Sequence, residues 1–405
     1  MSFHHIDRRK FLKISVVTPL MGIGDIAFSQ DLKKTNSVLV APQMLHPFIV
    51  VFLRGGADGL SILSPLNDDN FVAARPPEMR FSVESSSGKV ELVNTALYWH
   101  PEAAPLANLF AQKKLIVWPA LGILDETRSH FEAQEIMERG VRSLNTLPDD
   151  LGWMARQVIA KDQFQKNLVP LFAGNNNSPR SMQGAHRAIA VRDIQNGIAL
   201  PNGTGGFNAV SALCSADSSA VSAPWMQDHL SNLDFINQTL TKGLVKPVPY
   251  ESAGKTPYPN TDPGVGLRSV ARLIEANVGL QYALVDQSGW DTHENQPGRL
   301  NGQVKNLSTS LLAFAEDMEA RKQPYTLVVM TEFGRRLRSN RSNGTDHGHG
   351  SLGLILGSHV PGGQVMGQWP GLSTQLLDRG VDLAVTTDYQ RFLNHAFGYQ
   401  KGALA

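Results

Sequence analysis

The stretch "HPFIVVFLRGGADG", residues 46–59, is apolar at six successive positions and then breaks at paired glycines before Asp58. A strand with one wet face alternates apolar and polar side chains; one that is apolar throughout has no face left for water. The run therefore predicts a strand covered on both sides, as in a parallel sheet. Five further runs repeat it: "KLIVWPALG" (114–122), "NLVPLFAG" (167–174), "LQYALVDQSG" (280–289), "YTLVVMTEFG" (325–334) and "SLGLILG" (351–357).

Helical segments lie between them. Over 300–318, Leu300, Val304, Leu307, Leu311, Ala315 and Met318 recur every three or four residues and place one apolar stripe on a helix. "PEAAPLANLFAQKK" and "VGLRSVARLIEANVG" read as helices by the same test. Strands alternating with helices predict an α/β fold with a doubly wound, mostly parallel sheet. Residues 174–262, rich in Gly, Ser, Asn and Pro, interrupt the alternation as either an inserted cap or long loops.

Open parallel sheets bind ligands beyond the carboxyl ends of their strands. Asp58, residues 127–130, residues 286–293 and Glu332 stand there. "GTDHGHG" (344–350) sets Asp346 beside His347, with His349 two residues on and glycines between, whose tolerance of positive φ would let the loop wrap a centre. "WDTH" (290–293) adds Asp291 and His293. Asp58, Asp291, His293, Glu332, Asp346, His347 and His349 make a ligand set of oxygen and nitrogen without thiolate, suited to Zn²⁺, Mn²⁺ or Mg²⁺. Arg54 beside Asp58, Arg128 beside Ser129, and Arg335, Arg336, Arg338 and Arg341 offer forks for phosphate, sulfate or carboxylate.

A formal net charge of +1 on 405 residues argues against nucleic acid or an anionic membrane as a partner. Cys214 is the only cysteine, which excludes a disulfide framework and cysteine-rich metal sites and leaves a buried, inert thiol as the simplest reading. At the N-terminus, "DRRKFLK" precedes an apolar run interrupted by Pro19 and Asp25, too short to span a bilayer, that ends in "AFSQ". This predicts a twin-arginine signal over residues 1–29, cleaved before Gln30, engagement of the twin-arginine export machinery, a periplasmic or otherwise exported mature chain (30–405) and no stable membrane anchor.

The ordered phrases "VVFLRGGADGLSILSP", "TRSHFEAQEIMERG", "SGWDTHENQ", "VVMTEFGRRLRSN", "GTDHGHGSLGLILG" and "AVTTDYQRFL" resemble a family of twin-arginine-exported bacterial proteins known mainly as a domain of unknown function and placed in the alkaline phosphatase and sulfatase superfamily. The resemblance implies an alkaline phosphatase-like sheet with Asp58 as a metal-binding aspartate at the end of the first strand. It implies a nucleophilic hydroxyl at a helix start, which Ser129 or Thr127 would supply, although Ser129 with Glu132 also has capping-box spacing. Asp291 and His293, with Asp286 competing, would share one metal with His347 or His349. At "TEFGR" the superfamily's Asp-His-Gly is replaced by Glu332, Phe333 and Gly334; the second centre is then lost or rebuilt from Glu332, Asp58 and the Asp346 loop.

Together these features lead to the expectation of an exported metal-dependent hydrolase of a phosphate or sulfate ester. Arg54, Arg128 and Arg335 would grip the anion, and His130 or a histidine of the "DHGHG" loop would act as general acid. The alternative is a non-catalytic exported protein that binds a metal or an envelope component on the same fold. A serine esterase on Ser129 and His130 is weaker, since no G-x-S-x-G elbow occurs.

Overall fold

The computed structural model of the chain describes residues 46–146, 150–160, 169–185, 187–198, 200, 202–216, 223–241 and 247–400. The signal read in residues 1–29 lies outside them, and so does the side chain of Cys214, in the helix Gly203–Ala216.

Among the described residues nine strands form one sheet: β1 (Phe48–Leu53), β2 (Leu115–Gly122), β3 (Leu171–Ala173), β4 (Ala188–Ala190), β5 (Tyr282–Gln287), β6 (Thr326–Thr331), β7 (Ser351–Gly357), β8 (Gln364–Val365) and β9 (Thr387–Asp388). Their order is β8-β2-β7-β6-β1-β5-β3-β4, with β9 also on β2. Every pairing is parallel except those of β7 with β2 and β6. The six long apolar runs read from the sequence are β1, β2, β3, β5, β6 and β7. The short strands β4, β8 and β9 have too few residues to show a period. A separate antiparallel sheet joins Leu63–Ser64, Ala96–Trp99 and Lys89–Glu91.

The pleat of β1 explains why its sequence does not alternate. Ile49, Val51 and Leu53 face one core with the helices Ala104–Ala111, Gly264–Glu275 and Gln296–Ala320. Phe48, Val50 and Phe52 face a second core with His130–Arg139, Trp153–Ile159 and Tyr389–Gln400. Each fully buried side chain of this kind stabilises by about 1.5–3 kcal/mol, so both layers depend on this strand. The six stripe residues of the 300–318 segment are all buried in Gln296–Ala320.

The 174–262 segment supplies the edge strand β4 and sends Ile194, Ile236, Leu240 and Tyr258 into the first core. Asp317 on Gln296–Ala320 pins its end, accepting from the Tyr250 hydroxyl at 2.5 Å, the Tyr258 hydroxyl at 2.9 Å and the Ala253 amide at 2.8 Å. Among the described residues no helix is long and apolar enough to cross a membrane.

Candidate metal centre

The register of the sheet decides which loops meet. Leu53 pairs with both Gln287 and Thr331, so the carboxyl ends of β1, β5 and β6 finish level. Because β7 runs against both β6 and β2, its first residue, Ser351, lies opposite Leu121 near the end of β2. Residues 54–58, 123–130, 288–293 and 332–350 are thereby gathered on one edge.

On that edge three imidazoles converge on one carboxylate oxygen. His293 Nε2 lies 3.2 Å, His347 Nε2 3.4 Å and His130 Nε2 3.6 Å from Asp291 Oδ1. The Nε2 atoms of His293 and His347 are 2.9 Å apart, and ligand atoms of His130, Asp291 and His347 all lie within 4.8 Å of one another. Tetrahedral ligands at the usual Zn–N distance of about 2.0–2.1 Å would be roughly 3.3 Å apart; the separations from Asp291 Oδ1 and between His293 and His347 bracket that value, while His293 stands outside the group of His130, Asp291 and His347. The group opens to solvent on one side: Asp291 is 48 % and His293 43 % exposed, against 24 % for His130 and 23 % for His347.

Each ring is held by its other nitrogen. His347 Nδ1 is 2.9 Å from the Arg128 carbonyl, which only accepts, so Nδ1 carries the proton. His130 Nδ1 lies 2.8 Å from Glu332 Oε1 and His293 Nδ1 3.3 Å from Asp346 Oδ1. With the protons on Nδ1, three lone pairs and a carboxylate oxygen face one another, and the buried Nε2 of His130 has no hydrogen-bond partner. Asp291, Glu332 and Asp346 bring three negative charges, against Arg335 in contact with Asp291 and Arg336 acting on Asp346, leaving a net negative charge for a cation to balance. A divalent ion fits this donor set, and the oxygen acceptors behind the rings are the supports that metal-ligating histidines usually have.

The titration behaviour agrees with these partners. The Glu332 hydrogen bond raises the pKa of His130, whereas burial lowers that of His347 and favours its neutral form. Burial works against the charge on Asp291, but the Arg335 hydrogen bond and positive charge win and hold it below the usual carboxylate range. For Asp346 the Asn340 hydrogen bond is the main cause of its lowering.

Glu332 stands behind this centre. Fully buried, its Oε1 accepts from the Gly55 amide at 2.8 Å and Gln134 at 2.9 Å besides facing His130. Burial disfavours its charge, yet these bonds hold its pKa down. Phe333 is also fully buried, with its ring 4.8 Å from those of both His130 and His347. The residue that departs from the expected Asp-His-Gly is thus an apolar plate beneath two of the imidazoles.

The glycines of "GTDHGHG" serve close approach, not positive φ. A Cβ on Gly344 would lie 2.3 Å from the His293 backbone, and one on Gly348 2.3 Å from that of Arg335. Neither glycine has positive φ; Asn343 takes that conformation instead, at φ 55°. Asn340 closes the loop, donating to the His293 carbonyl at 2.8 Å and to Asp346 Oδ1 at 3.1 Å.

Other residues read from the sequence are placed elsewhere. Asp58 is buried against Arg75, with Nη1 at 2.6 Å from its Oδ2, and also accepts from Ser61 and Gln296. His349 spends both nitrogens, Nδ1 on Asp378 at 2.8 Å and Nε2 on the Ile123 carbonyl at 2.9 Å. Asp286 pairs with Arg54 at 2.8 Å.

The three arginines expected to grip an anion are committed to the protein. Arg54 pairs with Glu138 and Asp286. Arg128 is bound by Asp378 and Asp382. Arg335, fully buried, donates to the carbonyls of Gly56, Thr345, Trp290 and Gly55 and to Asp291 Oδ1. Arg336 is half exposed, 4.0 Å from Asp382, and its charge acts on Asp346; Arg338 and Arg341 are exposed as well.

Ser129 is the N-cap of His130–Arg139 but makes no side-chain cap bond. Its amide donates to Thr127 Oγ1 at 3.1 Å, and Thr127 in turn donates to Glu132 at 2.5 Å. The capping bond expected of Ser129 is not made: Thr127 accepts from the Ser129 amide only, and the Ser129 hydroxyl, beside His130, has no hydrogen-bond partner among the described residues.

Sequence reasoning assigned no role to Gln134, Asp378 or Asp382, whose side chains meet distant segments and leave no local spacing to read, nor to Asn340, which binds Asp346 and the amides of Ser342 and Gly344 within its own loop. A family model described as "Protein of unknown function (DUF1501)" matches residues 253–402, which carry Asp291, His293, Glu332, Asp346 and His347. No curated protein matches the chain.

Proposed function

We propose that this protein is an exported metal-dependent hydrolase of a phosphate or sulfate ester with one divalent ion held by His130, His293, His347 and Asp291. The observation that carries the reading is the convergence of three Nε2 atoms within 3.6 Å of Asp291 Oδ1. A nitrogen-rich set of this kind favours Zn²⁺ over Mg²⁺. When bound, the ion would supply Lewis acidity for a group that gains negative charge as the ester is cleaved.

The chain's own residues support that chemistry. Glu332, Asp346 and the Arg128 carbonyl keep the imidazole protons on Nδ1, so the lone pairs point at the centre. Ser129 offers an accessible hydroxyl as acceptor of the transferred group, at the start of a helix whose first amides favour an anion. Arg336, exposed and close enough to Asp346 for its charge to act there, would help hold the anion. His130, earlier a candidate acid, serves here as a ligand.

The commitment of Arg54, Arg128 and Arg335 favours a second reading, a binding protein with the same metal centre and no turnover. Calorimetric titration of metal-stripped protein with Zn²⁺, Mn²⁺ and Mg²⁺ should give one ion per chain, lost in His347→Ala. Aryl phosphate and aryl sulfate assays on the loaded protein, with Ser129→Ala as control, then separate the two. Binding without turnover would leave only the second reading, and absence of binding would remove both.

A further inference from the structure

We infer that Arg128 is a positioning residue of the metal centre: locked by Asp378 and Asp382, it presents its backbone carbonyl to His347 Nδ1 and so selects the tautomer whose Nε2 faces Asp291.

The chain of contacts is continuous. Arg128 Nη2 lies 2.8 Å from Asp378 Oδ2 and 3.0 Å from Asp382 Oδ2, and Nε lies 3.3 Å from the latter. Nη1 turns back onto the carbonyl of Glu126 at 2.9 Å. The side chain therefore braces the turn from which its own carbonyl projects to His347 at 2.9 Å. Asp378 anchors the same turn again, since it receives His349 Nδ1 at 2.8 Å while His349 Nε2 meets the Ile123 carbonyl at 2.9 Å. Ser129 and His130 follow Arg128 directly, so one brace sets the position of a ligand, the tautomer of a second and the site of the free hydroxyl.

A carbonyl accepts only, and a neutral imidazole has one N–H. If the Arg128 carbonyl moved away, the Nδ1 proton would lose its acceptor and the Nε2–H form would become accessible, with its proton where a lone pair is needed. Loss of such an outer support typically weakens metal binding about 10–100-fold.

The inference rests on the metal reading for its effect on affinity, but its first readout needs no metal. In metal-free protein with ¹⁵N-labelled histidine, the His347 signals, assigned by their absence in His347→Gln, should report an Nδ1–H tautomer. Arg128→Leu should populate the Nε2–H form and weaken Zn²⁺ binding about 10–100-fold. The pair Asp378→Asn with Asp382→Asn should do the same by an independent route, and it carries the test if Arg128→Leu does not fold. Glu126→Gln, which breaks only the exposed pair with Arg379, should change neither readout. A wild-type Nε2–H tautomer, or a folded variant of either kind with the wild-type tautomer, overturns the inference. Failure of wild-type protein to bind any ion, with the tautomer responding as stated, overturns the metal reading alone.

Discussion

Replacing Asp58 by Asn separates a buried ion pair from a metal ligand. Asp58 and Arg75 are both out of solvent, and the carboxylate takes two guanidinium nitrogens, at 2.6 and 3.3 Å, with Ser61 at 2.7 Å and Gln296 at 2.6 Å. Removing one partner of such a pair costs about 3–5 kcal/mol, because the other charge stays buried. Arg75 keeps the carbonyls of Leu337 and Arg336 as acceptors, which places the cost at the low end, about 3 kcal/mol. At about 2.1 cal/mol/K per residue the roughly 350 residues between 46 and 400 unfold with about 0.75 kcal/mol/K, so Tm should fall by about 4 °C.

The pH dependence has a definite sign. Burial opposes the charge on Asp58, but Arg75 holds its pKa below the usual 3.8, so its stabilising effect is present above that pH and disappears as pH falls through the folded value. The Tm difference between wild type and Asp58→Asn should shrink in acid, while Zn²⁺ stoichiometry at neutral pH stays at the wild-type value. Calorimetric scans across pH with metal analysis measure both. A variant that keeps its Tm and loses its metal would refute the reasoning.

Other perturbations have equally definite outcomes. His347→Ala and Asp291→Asn should each lower Zn²⁺ affinity by at least about 100-fold, beyond the loss of an outer support; His347→Ala should change the Tm of metal-free protein little, whereas Asp291→Asn also weakens the pairing of buried Arg335 and should lower it. Phe333→Ala removes the plate beneath His130 and His347 and should cost about 3–5 kcal/mol in urea unfolding, together with weaker metal binding; wild-type stability would show that the ring is not packed as described. Gly348→Ala forces a Cβ against the Arg335 backbone and should displace the His347 loop, reducing Zn²⁺ affinity more than a Gly302→Ala control, where a Cβ meets nothing within 4 Å. Burial and the neighbouring Glu138 and Glu332 push Asp286 up to about 6 in spite of Arg54. The native state then holds a proton that the unfolded chain has released, so its unfolding free energy should fall as pH rises from about 4 through 6. Asp286→Asn should remove that fall, and an unchanged profile would count against the burial of this carboxylate.

Much of the architecture was legible because it depends on local periodicity. Six apolar runs and the stripe from Leu300 to Met318 report how many faces each element buries, and those faces are the ones that meet in the two cores. Ala188–Ala190 and the two-residue strands Gln364–Val365 and Thr387–Asp388 carry no period and were invisible, whereas the equally short Leu171–Ala173 was legible from the apolar run around it. For the centre, residue type and strand-end position brought Asp291, His293 and His347 forward, and the fold gathers them on one edge.

What composition left open was the division of labour. Asp58, Asp291, Glu332 and Asp346 are equivalent as carboxylates in a sequence, but each took its duty from the partners that folding put beside it: Arg75, the convergent imidazoles, His130 and His293. His130 turns its Nε2 toward Asp291 because Glu332 holds its Nδ1, and the Ser129 hydroxyl makes no cap bond although Thr127 accepts from the Ser129 amide. By itself the sequence determined the sheet, its two covered faces and the edge where the loops gather, since periodic burial is a property of neighbours along the chain. Which atom points at the centre and which stands behind it was decided only by the tertiary structure, because hydrogen bonds and ion pairs between segments hundreds of residues apart are set by sheet register and loop closure.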